Sequence, residues 1–194
     1  MKDYMIGQIQ AAQQVLAALQ ADELVLSTLA DAATACIQCL QKGGKVLLAG
    51  NGGSAADAQH IAGELVSRFA FDRPGLSAIA LTTDSSILTS IGNDYGFERL
   101  FARQVQALGQ PGDVFIGYST SGKSANVLQA FTEAKAKGLV TIGMTGNQGG
   151  DMQSLCDFLL AVPSASTPKI QEGHLVLGHI LCGLVERALF KDGN

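Results

Sequence analysis

The chain carries little charge and has no run of Lys or Arg. Charged side chains make up 15% of its 194 residues, and the formal net charge at pH 7 is −4. Nucleic-acid-binding proteins concentrate positive charge on one face, so a nucleic-acid partner is not expected. The hydrophobic fraction of 47% excludes a disordered chain and indicates a globular one. Because so few side chains are charged, we expect part of the surface to lie against other subunits.

Segments typical of secretion or membrane insertion are also missing from the sequence pattern. Residues 1–14 are polar and contain no hydrophobic core of a signal peptide. The most apolar helical stretch, residues 175–185, is too short to span a bilayer and contains His179. These features favour a soluble cytoplasmic protein without a membrane partner.

Cysteine is scarce, and its spacing does not complete a metal site. Two of the four cysteines, Cys36 and Cys39, form a C-x-x-C motif, but no second pair is present to complete a zinc site of that type. Both lie in a helical pattern of apolar residues. We therefore expect them to be buried as small apolar side chains.

Apolar runs alternate with helical patterns along most of the chain. Two helical patterns come first, in residues 5–19 and 26–40, and strand-like runs followed by helices come next. This alternation predicts a parallel sheet with helices on both faces. The expected fold is a three-layer α-β-α domain over residues 43–194, preceded by a helical extension, residues 1–42, that makes oligomer contacts. No linker separates the two, so the chain is effectively one domain. The five predicted strands are residues 45–50, 77–82, 113–118, 139–144 and 157–162.

Two of the predicted strands end in loops of Gly and Ser. The two strand-and-loop segments are alike in sequence, since residues 44–48 align with residues 112–116. The second of these loops, residues 119–124 (Ser-Thr-Ser-Gly-Lys-Ser), places four hydroxyls at a helix start. Ligands bind at the carboxyl ends of parallel strands, where free N–H groups and hydroxyls favour a phosphate dianion. Ordinary capping of a helix needs one hydroxyl, so four favour phosphate binding.

Two nucleotide-binding motifs overlap these loops and remain as alternatives. Residues 117–124 match the P-loop pattern G-x-x-x-x-G-K-[ST], which would make the chain a nucleotide hydrolase. No strand after that motif ends in an Asp of the Walker-B type. Residues 50–55 fit a relaxed dinucleotide pattern, but the nearest acidic residue, Asp84, lies too far along the chain.

Reactive side chains gather on two predicted helices. His60 and Glu64 are four residues apart, and Gln171 and His179 are eight apart, so each pair shares one side of its helix. Two such helices can present all four side chains to one point. Imidazole and carboxylate groups are ordinary ligands of a zinc-like ion, whereas an amide oxygen is an unusual one.

Each of these side chains also has an ordinary structural explanation. His60 and Glu64 could form a solvated i,i+4 pair. His174 and His179 could be packing or capping groups. Spacing alone does not choose Gln171 over Glu172, nor His179 over His174. These alternatives stay open on the residues alone.

Four segments together carry a combination of residues typical of one known family. The segments are residues 50–64 (Gly-Asn-Gly-Gly-Ser-Ala-Ala-Asp-Ala-Gln-His-Ile-Ala-Gly-Glu), Gly92-Asn93-Asp94-Tyr95, residues 119–124, and Gln171-Glu172-Gly173-His174 with His179. The combination resembles the phosphoheptose isomerases, and the likeness covers essentially the whole chain. The loop rich in Ser and Thr by itself marks only the broader sugar isomerase (SIS) domain superfamily.

The resemblance implies a flavodoxin-like SIS domain and an aldose–ketose isomerase. The family converts D-sedoheptulose 7-phosphate to D-glycero-D-manno-heptose 7-phosphate, the first step towards nucleotide-activated heptose for lipopolysaccharide cores and capsules. It also implies a homotetramer with active sites between subunits and one zinc ion per subunit. The implied zinc ligands are His60, Glu64, Gln171 and His179, and the implied substrate contacts are Asn51, Gly52, Gly53, Asn93, Asp94, Ser119, Thr120, Ser121, Ser124 and Gln171.

The reaction itself suggests roles for two of these residues. A proton must move between C1 and C2 through an enediol, so an acid/base pair is required. We assign Glu64 and His179 to that pair. Some similar proteins are instead non-catalytic regulators that bind the replication initiator or a phosphosugar, and this is the alternative function.

Three neighbouring charged residues are given local roles as well. Ser54 and Asp57 are expected to form a capping box at a helix start, with a catalytic role for Asp57 as the alternative. Asp94 is expected to bind sugar hydroxyls, with a solvated turn residue as the alternative. Arg68 lies one turn past Glu64, where it could neutralise that carboxylate, bind substrate or form a simple i,i+4 pair.

Overall fold

Two long helices open the chain in a computed structural model that describes residues 1–190. Helix α1 spans Lys2–Ala21 and helix α2 spans Glu23–Gln41. Asp22 joins them, and its carboxylate accepts hydrogen bonds of 3.1 Å from the backbone N–H groups of Leu24 and Val25. An Asp in this position satisfies N–H groups that have no partner inside the helix. A single residue therefore ends α1 and caps α2.

Helix α2 belongs to the core, whereas α1 lies mostly on the surface. The only buried residue of α1 is Leu19, but α2 buries a full face that includes Leu29 and the predicted pair Cys36 and Cys39. The burial of both cysteines confirms the expectation from their helical pattern. Among the described residues, α2 is also the one helix long and apolar enough to cross a bilayer.

Five parallel strands form one sheet in the order β2-β1-β3-β4-β5. This is the flavodoxin-like order, in which the chain changes direction across the sheet between β1 and β3. A crevice opens at the carboxyl ends of those two strands, so ligands are expected there. The sheet confirms the predicted fold class, and each strand differs from its prediction by at most a few residues. The strands are β1 (Val46–Ala49), β2 (Ala78–Ala80), β3 (Val114–Ser119), β4 (Val140–Gly146) and β5 (Phe158–Val162).

The two similar strand units lie side by side in the sheet. Val46 pairs with Val114, Leu47 with Phe115 and Leu48 with Ile116, which is the alignment of the sequence repeat. Just before this pairing, Lys45 Nζ contacts Asp113 Oδ2 at 2.6 Å, and the same carboxylate accepts the Lys45 backbone N–H. The repeat therefore places equivalent loops next to each other at the carboxyl edge.

Helices cover both faces of the sheet, which completes the three layers. On one face α2 packs with α3 and α7, where Leu29, Ile61 and Leu181 share a core with β1 and β3. On the other face α5 and α6 pack against Leu47 and Phe115. Short 3₁₀ turns lie at Phe97–Arg99 and Gly150–Ser154. The remaining helices are α3 (Gly53–Val66), α4 (Ser85–Asp94), α5 (Leu100–Leu108), α6 (Ala125–Ala136) and α7 (Thr167–Leu189).

Candidate active site

Three of the predicted reactive side chains meet where α3 lies beside α7. His60 Nε2 is 2.8 Å from His179 Nε2 and 3.4 Å from Glu64 Oε1. One ligand atom from each of the three residues lies within 4.8 Å of the others. Helical spacing aligns the first two on α3, and α7 supplies the third from 119 positions away. We refer to these three residues as the triad.

A glycine next to His179 allows the two helices to approach closely. A Cβ atom added at Gly178 would lie 2.6 Å from Ile61 Cδ1, which is shorter than side chains tolerate. Ile61 follows His60 on α3, so the contact between the two helices lies directly beside the two histidines. A side chain at position 178 would therefore require Ile61 to shift beside the triad.

The donor atoms of the triad suit a zinc-like ion. Two imidazole nitrogens and a carboxylate oxygen form the ligand set of many zinc sites in which one position stays open for water or substrate. His60 and Glu64 are accessible from solvent, with side chains 45% and 24% exposed. A metal and a small substrate could therefore reach this point.

Gln171 lies on α7, as His179 does, and its side chain contacts the first turn of α3. Its Nε2 is 3.4 Å from Ser54 Oγ. Glu172 instead pairs with Lys169 at 2.8 Å, and its side chain is 46% exposed. Of these two neighbours, Gln171 is therefore the one that contacts α3.

The histidine that the triad does not use is a buried structural group. His174 is fully buried, and its Nε2 donates to the Thr145 carbonyl oxygen at 3.0 Å. Because that carbonyl can only accept, Nε2 must carry the proton. Burial lowers the pKa of His174 to about 4, although the bond to Thr145 opposes this shift. This histidine is neutral at physiological pH and packs against Tyr118.

The hydroxyl-rich loop follows β3 at the carboxyl edge of the sheet. Ser119 Oγ lies 2.9 Å from Ser124 Oγ and 3.5 Å from Ser121 Oγ. Ser124 precedes α6 as its N-cap, yet no side chain caps that helix. Capping therefore does not account for these hydroxyls, and they remain able to bind an anion.

A polar cavity of about 230 Å³ opens beside this loop. Thr120, Ser121 and Lys123 line one side of it. The other side comes from residues that sequence reasoning did not select: Asn147, Gln148, Ser164 and Thr167. All four follow β4 or β5 at the carboxyl edge. Their position after a strand end is the signal by which the sequence could have identified them.

Two loops meet backbone to backbone under the cavity. Gly122 has a φ of +67°, and a Cβ atom there would collide with the Gly149 carbonyl oxygen. A residue with a side chain would be strained in this conformation and would push the loops apart. Glycine at this position is therefore required by both the turn and the contact.

Comparison with known proteins agrees with this geometry. A family model described as "SIS domain" matches residues 8–146. A phosphoheptose isomerase from Burkholderia pseudomallei is 71% identical over 187 residues, which cover 96% of this chain and 95% of the relative. Solved structures of phosphoheptose isomerases from Neisseria gonorrhoeae (42% identical, TM-score 0.83) and Francisella tularensis (40% identical, TM-score 0.86) match 95% and 96% of this chain and 96% of each structure.

The chain belongs to the phosphoheptose isomerase family.

Membership in the phosphoheptose isomerase family decides between the competing motifs. The match to the P-loop pattern in residues 117–124 comes from the Ser- and Thr-rich loop of the SIS domain. The Gly-rich residues 50–55 begin α3, which carries two members of the triad. Neither nucleotide-binding alternative is supported.

Asn51 links the two strand ends at the crevice of this phosphoheptose isomerase fold. Its side chain exchanges hydrogen bonds of 2.9 and 2.8 Å with Asn126, a buried residue of α6. Asn51 follows β1, and Asn126 lies on the helix after β3. Sequence reasoning missed Asn126, which has no motif of its own. Gly52 and Gly53 follow Asn51 directly and begin α3.

Asn93 and Asp94 are exposed at the end of α4. Asn93 Nδ2 donates to Asp94 Oδ1 at 2.7 Å, and within residues 1–190 no hydrogen bond joins this pair to the other predicted site residues. Arg68 is also exposed, and no ion pair joins it to Glu64 in that range. Among these residues, no hydrogen bond or ion pair therefore links the three side chains to the triad.

The capping box predicted at the start of α3 is wrong. Gly52 is the N-cap of that helix, without a side-chain cap, and Ser54 is buried. Asp57 Oδ2 is buried and has no hydrogen-bond partner in the described chain. Burial raises the pKa of Asp57 to about 6, with His60 opposing the shift. A capping acid would instead be satisfied by backbone N–H groups.

Proposed function

We propose that the chain converts D-sedoheptulose 7-phosphate to D-glycero-D-manno-heptose 7-phosphate in the cytoplasm, the first step in making nucleotide-activated heptose for lipopolysaccharide cores and capsules. It is an aldose–ketose isomerase of the phosphoheptose isomerase kind. The observation that carries the proposal is the convergence of His60, Glu64 and His179 near the carboxyl edge of a phosphosugar-binding fold.

Glu64 and His179 serve as the acid/base pair. Moving a proton between C1 and C2 requires a base near those carbons and an acid for the oxygens, and each positioned group contributes on the order of 10²–10⁴ in rate. The two side chains lie on different helices and face one point, so each can approach the substrate from its own side. Partial exposure of Glu64 leaves room for that substrate.

The loop after β3 holds the phosphate. The hydroxyls of Ser121 and Ser124 each lie within 3.5 Å of the Ser119 hydroxyl, and Ser124, the N-cap of the helix that follows, makes no side-chain cap bond. The N-terminus of α6 favours a negative charge at the same place. Thr120 completes the phosphate site, and the sugar contacts assigned with it are Asn51, Gly52, Gly53, Asn93, Asp94 and Gln171.

The metal assigned to the site is one zinc ion per subunit. His60, Glu64 and His179 offer ordinary zinc ligands within a short distance of one another, and Gln171 is proposed as the fourth ligand. When bound, zinc supplies a positive charge that polarises the sugar oxygens at C1 and C2.

The functional form is a homotetramer with active sites between subunits. Val176, Ile180 and Leu184 form an exposed apolar stripe on α7 at four-residue spacing. A cavity of about 320 Å³ lies along this stripe and includes His179 in its wall. Helix α1, in the extension of residues 1–42, exposes further large apolar side chains. Such a surface suits contacts with other copies of the chain, close to the triad.

One assay of purified protein tests the proposal. Incubation with sedoheptulose 7-phosphate should yield the aldose, and metal analysis of the same sample should find one zinc per subunit. Light scattering should give four times the mass of one chain. Binding of the sugar phosphate without turnover, in protein loaded with zinc, would instead indicate a non-catalytic regulator.

A further inference from the structure

Arg73 and Glu186 form an ion pair that is almost completely shielded from solvent. Arg73 Nε lies 3.0 Å from Glu186 Oε1, and the side chains are 2% and 1% exposed. Removing two charges from water is costly, and it is tolerated where each charge is fully hydrogen-bonded. The other contacts of the two side chains therefore indicate what the pair does.

Glu186 holds the chain that leaves α3. Its carboxylate accepts the backbone N–H groups of Phe69 at 2.9 Å and Ala70 at 2.7 Å. Burial by itself raises the pKa of Glu186, but these two bonds and Arg73 outweigh it and hold the pKa below its ordinary value. The Phe69 ring packs against the His179 ring, with 5.7 Å between their centroids. Glu186 thus fixes a side chain that supports a member of the triad.

Arg73 holds the last turn of α3. Its Nη2 donates to the Glu64 carbonyl oxygen at 2.8 Å, and its Nη1 donates to the Leu65 carbonyl oxygen at 2.6 Å. The last carbonyls of a helix lack partners within the helix and favour a nearby cation. One of them belongs to Glu64 itself. The guanidinium therefore sets the backbone position from which the Glu64 side chain extends.

We propose that Arg73 and Glu186 are positioning residues that hold Glu64 and His179 at the separation required by their joint chemistry. Glu186 lies two helical turns after His179 on α7, so the pair joins α7 to the end of α3. Neither residue contacts the substrate in this assignment. The inference rests on the proposed function, because it takes Glu64 and His179 as metal ligands and as the acid/base pair.

Arg73→Lys tests this role. Lys keeps the charge but lacks the planar fork that reaches Glu186 and two carbonyls together. We expect kcat to fall at least 10-fold with KM changed less than threefold. The zinc dissociation constant should rise about 10- to 100-fold, as is typical when residues that orient metal ligands are replaced. The visible spectrum of bound Co²⁺, which depends on ligand geometry, should shift.

The matched control is Lys45→Gln, which removes a second ion pair that is largely buried, between Lys45 and Asp113. This pair lies at the amino edge of the sheet, away from the catalytic end. The variant should lower the Tm but leave kcat, zinc affinity and the cobalt spectrum unchanged. The comparison separates loss of positioning from loss of stability.

A second variant keeps the proposal testable if Arg73→Lys fails to fold. Arg73→Met combined with Glu186→Leu replaces the pair by apolar side chains of similar size, an exchange that buried ion pairs often tolerate. The same losses are expected. Wild-type kcat, zinc affinity and cobalt spectrum in either folded variant would overturn the inference while the proposed function stands. If the wild-type chain binds zinc without isomerising the sugar, the zinc affinities and cobalt spectra of the variants test the positioning role by themselves. If it neither binds zinc nor isomerises, both proposals fail.

Discussion

The Nε2 atoms of His60 and His179 lie 2.8 Å apart, with their rings inclined by 60°. Two neutral imidazoles can share one N–H at this distance, or both can direct a lone pair at a common cation. Metal binding requires the second arrangement, in which both facing nitrogens are unprotonated.

Replacing one histidine of this pair should remove the metal, whereas replacing the third histidine of the chain should not. His179→Gln deletes one imidazole ligand, so zinc content after dialysis is expected to fall from one per subunit to near zero. His174→Gln is the matched control, because His174 is buried against Thr145 and should leave the zinc content unchanged. Plasma mass spectrometry of the dialysed proteins measures both. Retention of zinc by His179→Gln would remove that residue from the ligand set.

Glu64→Gln should abolish most turnover without unfolding the protein. The amide keeps the size of the side chain but cannot accept the proton, so kcat should fall about 10²–10⁴-fold. Glu172→Gln is the control on α7, since Glu172 is half exposed and, within residues 1–190, is paired with Lys169 alone. Turnover assays and circular dichroism check the two variants. Near-normal kcat in Glu64→Gln would refute its role as the base.

Removing hydroxyls from the phosphate loop should weaken substrate binding. Ser119→Ala combined with Ser124→Ala deletes two donors to a dianion, so KM is expected to rise roughly 10- to 100-fold with a smaller change in kcat. Ser154→Ala removes an exposed hydroxyl that bonds only the Asp151 carbonyl oxygen, and it should leave KM unaltered. Steady-state kinetics compares them. An unchanged KM in the double variant would move the phosphate elsewhere.

Acid should destabilise the protein through His174. Its pKa is about 4 in the folded chain and 6.5 ordinarily, so the unfolded state binds more protons between these values. Stability is therefore lost as the pH falls from about 6.5 to about 4, by about 3 kcal/mol from this residue.

Asp57 acts in the opposite direction over part of that range. Its pKa is raised to about 6, so the folded state binds the extra proton as the pH falls below that value. Urea unfolding gives the free energy of unfolding of wild type and of His174→Gln at the same pH values. The Asp57 contribution is common to both proteins, so it cancels in the difference. The stability of the variant relative to wild type should rise as the pH falls from 7 to 4. A difference that stays flat with pH would mean that His174 is not held neutral.

The sequence repeat allowed much of the sheet to be predicted correctly. Residues 44–48 and 112–116 align in the sequence, and their strands pair residue for residue in the structure. The two agree because both strands are buried on both faces of the sheet, and such strands need apolar runs of similar length. Helical spacing likewise predicted that His60 and Glu64 share a face. The approach of α7 to them brings distant parts of the chain together, with Gly178 against Ile61, and no local pattern encodes it.

The errors at the start of α3 have a similar origin. Ser54 and Asp57 have the spacing of a capping box, but tertiary packing buries the Ser54 side chain and the Asp57 Oδ2 atom. Tertiary packing therefore overrides local propensity there. Asn147 and Gln148 were missed for the related reason that a cavity between loops leaves no periodic trace in the sequence.

Helix α7 fixes the spacing between the cavity at the phosphate loop and His179. Ile170 lines the cavity at the phosphate loop, and His179 follows two and a half turns later on the same unbroken helix, about 14 Å along its axis. Because an α-helix cannot shorten, this separation stays the same whichever sugar is bound in the proposed binding mode.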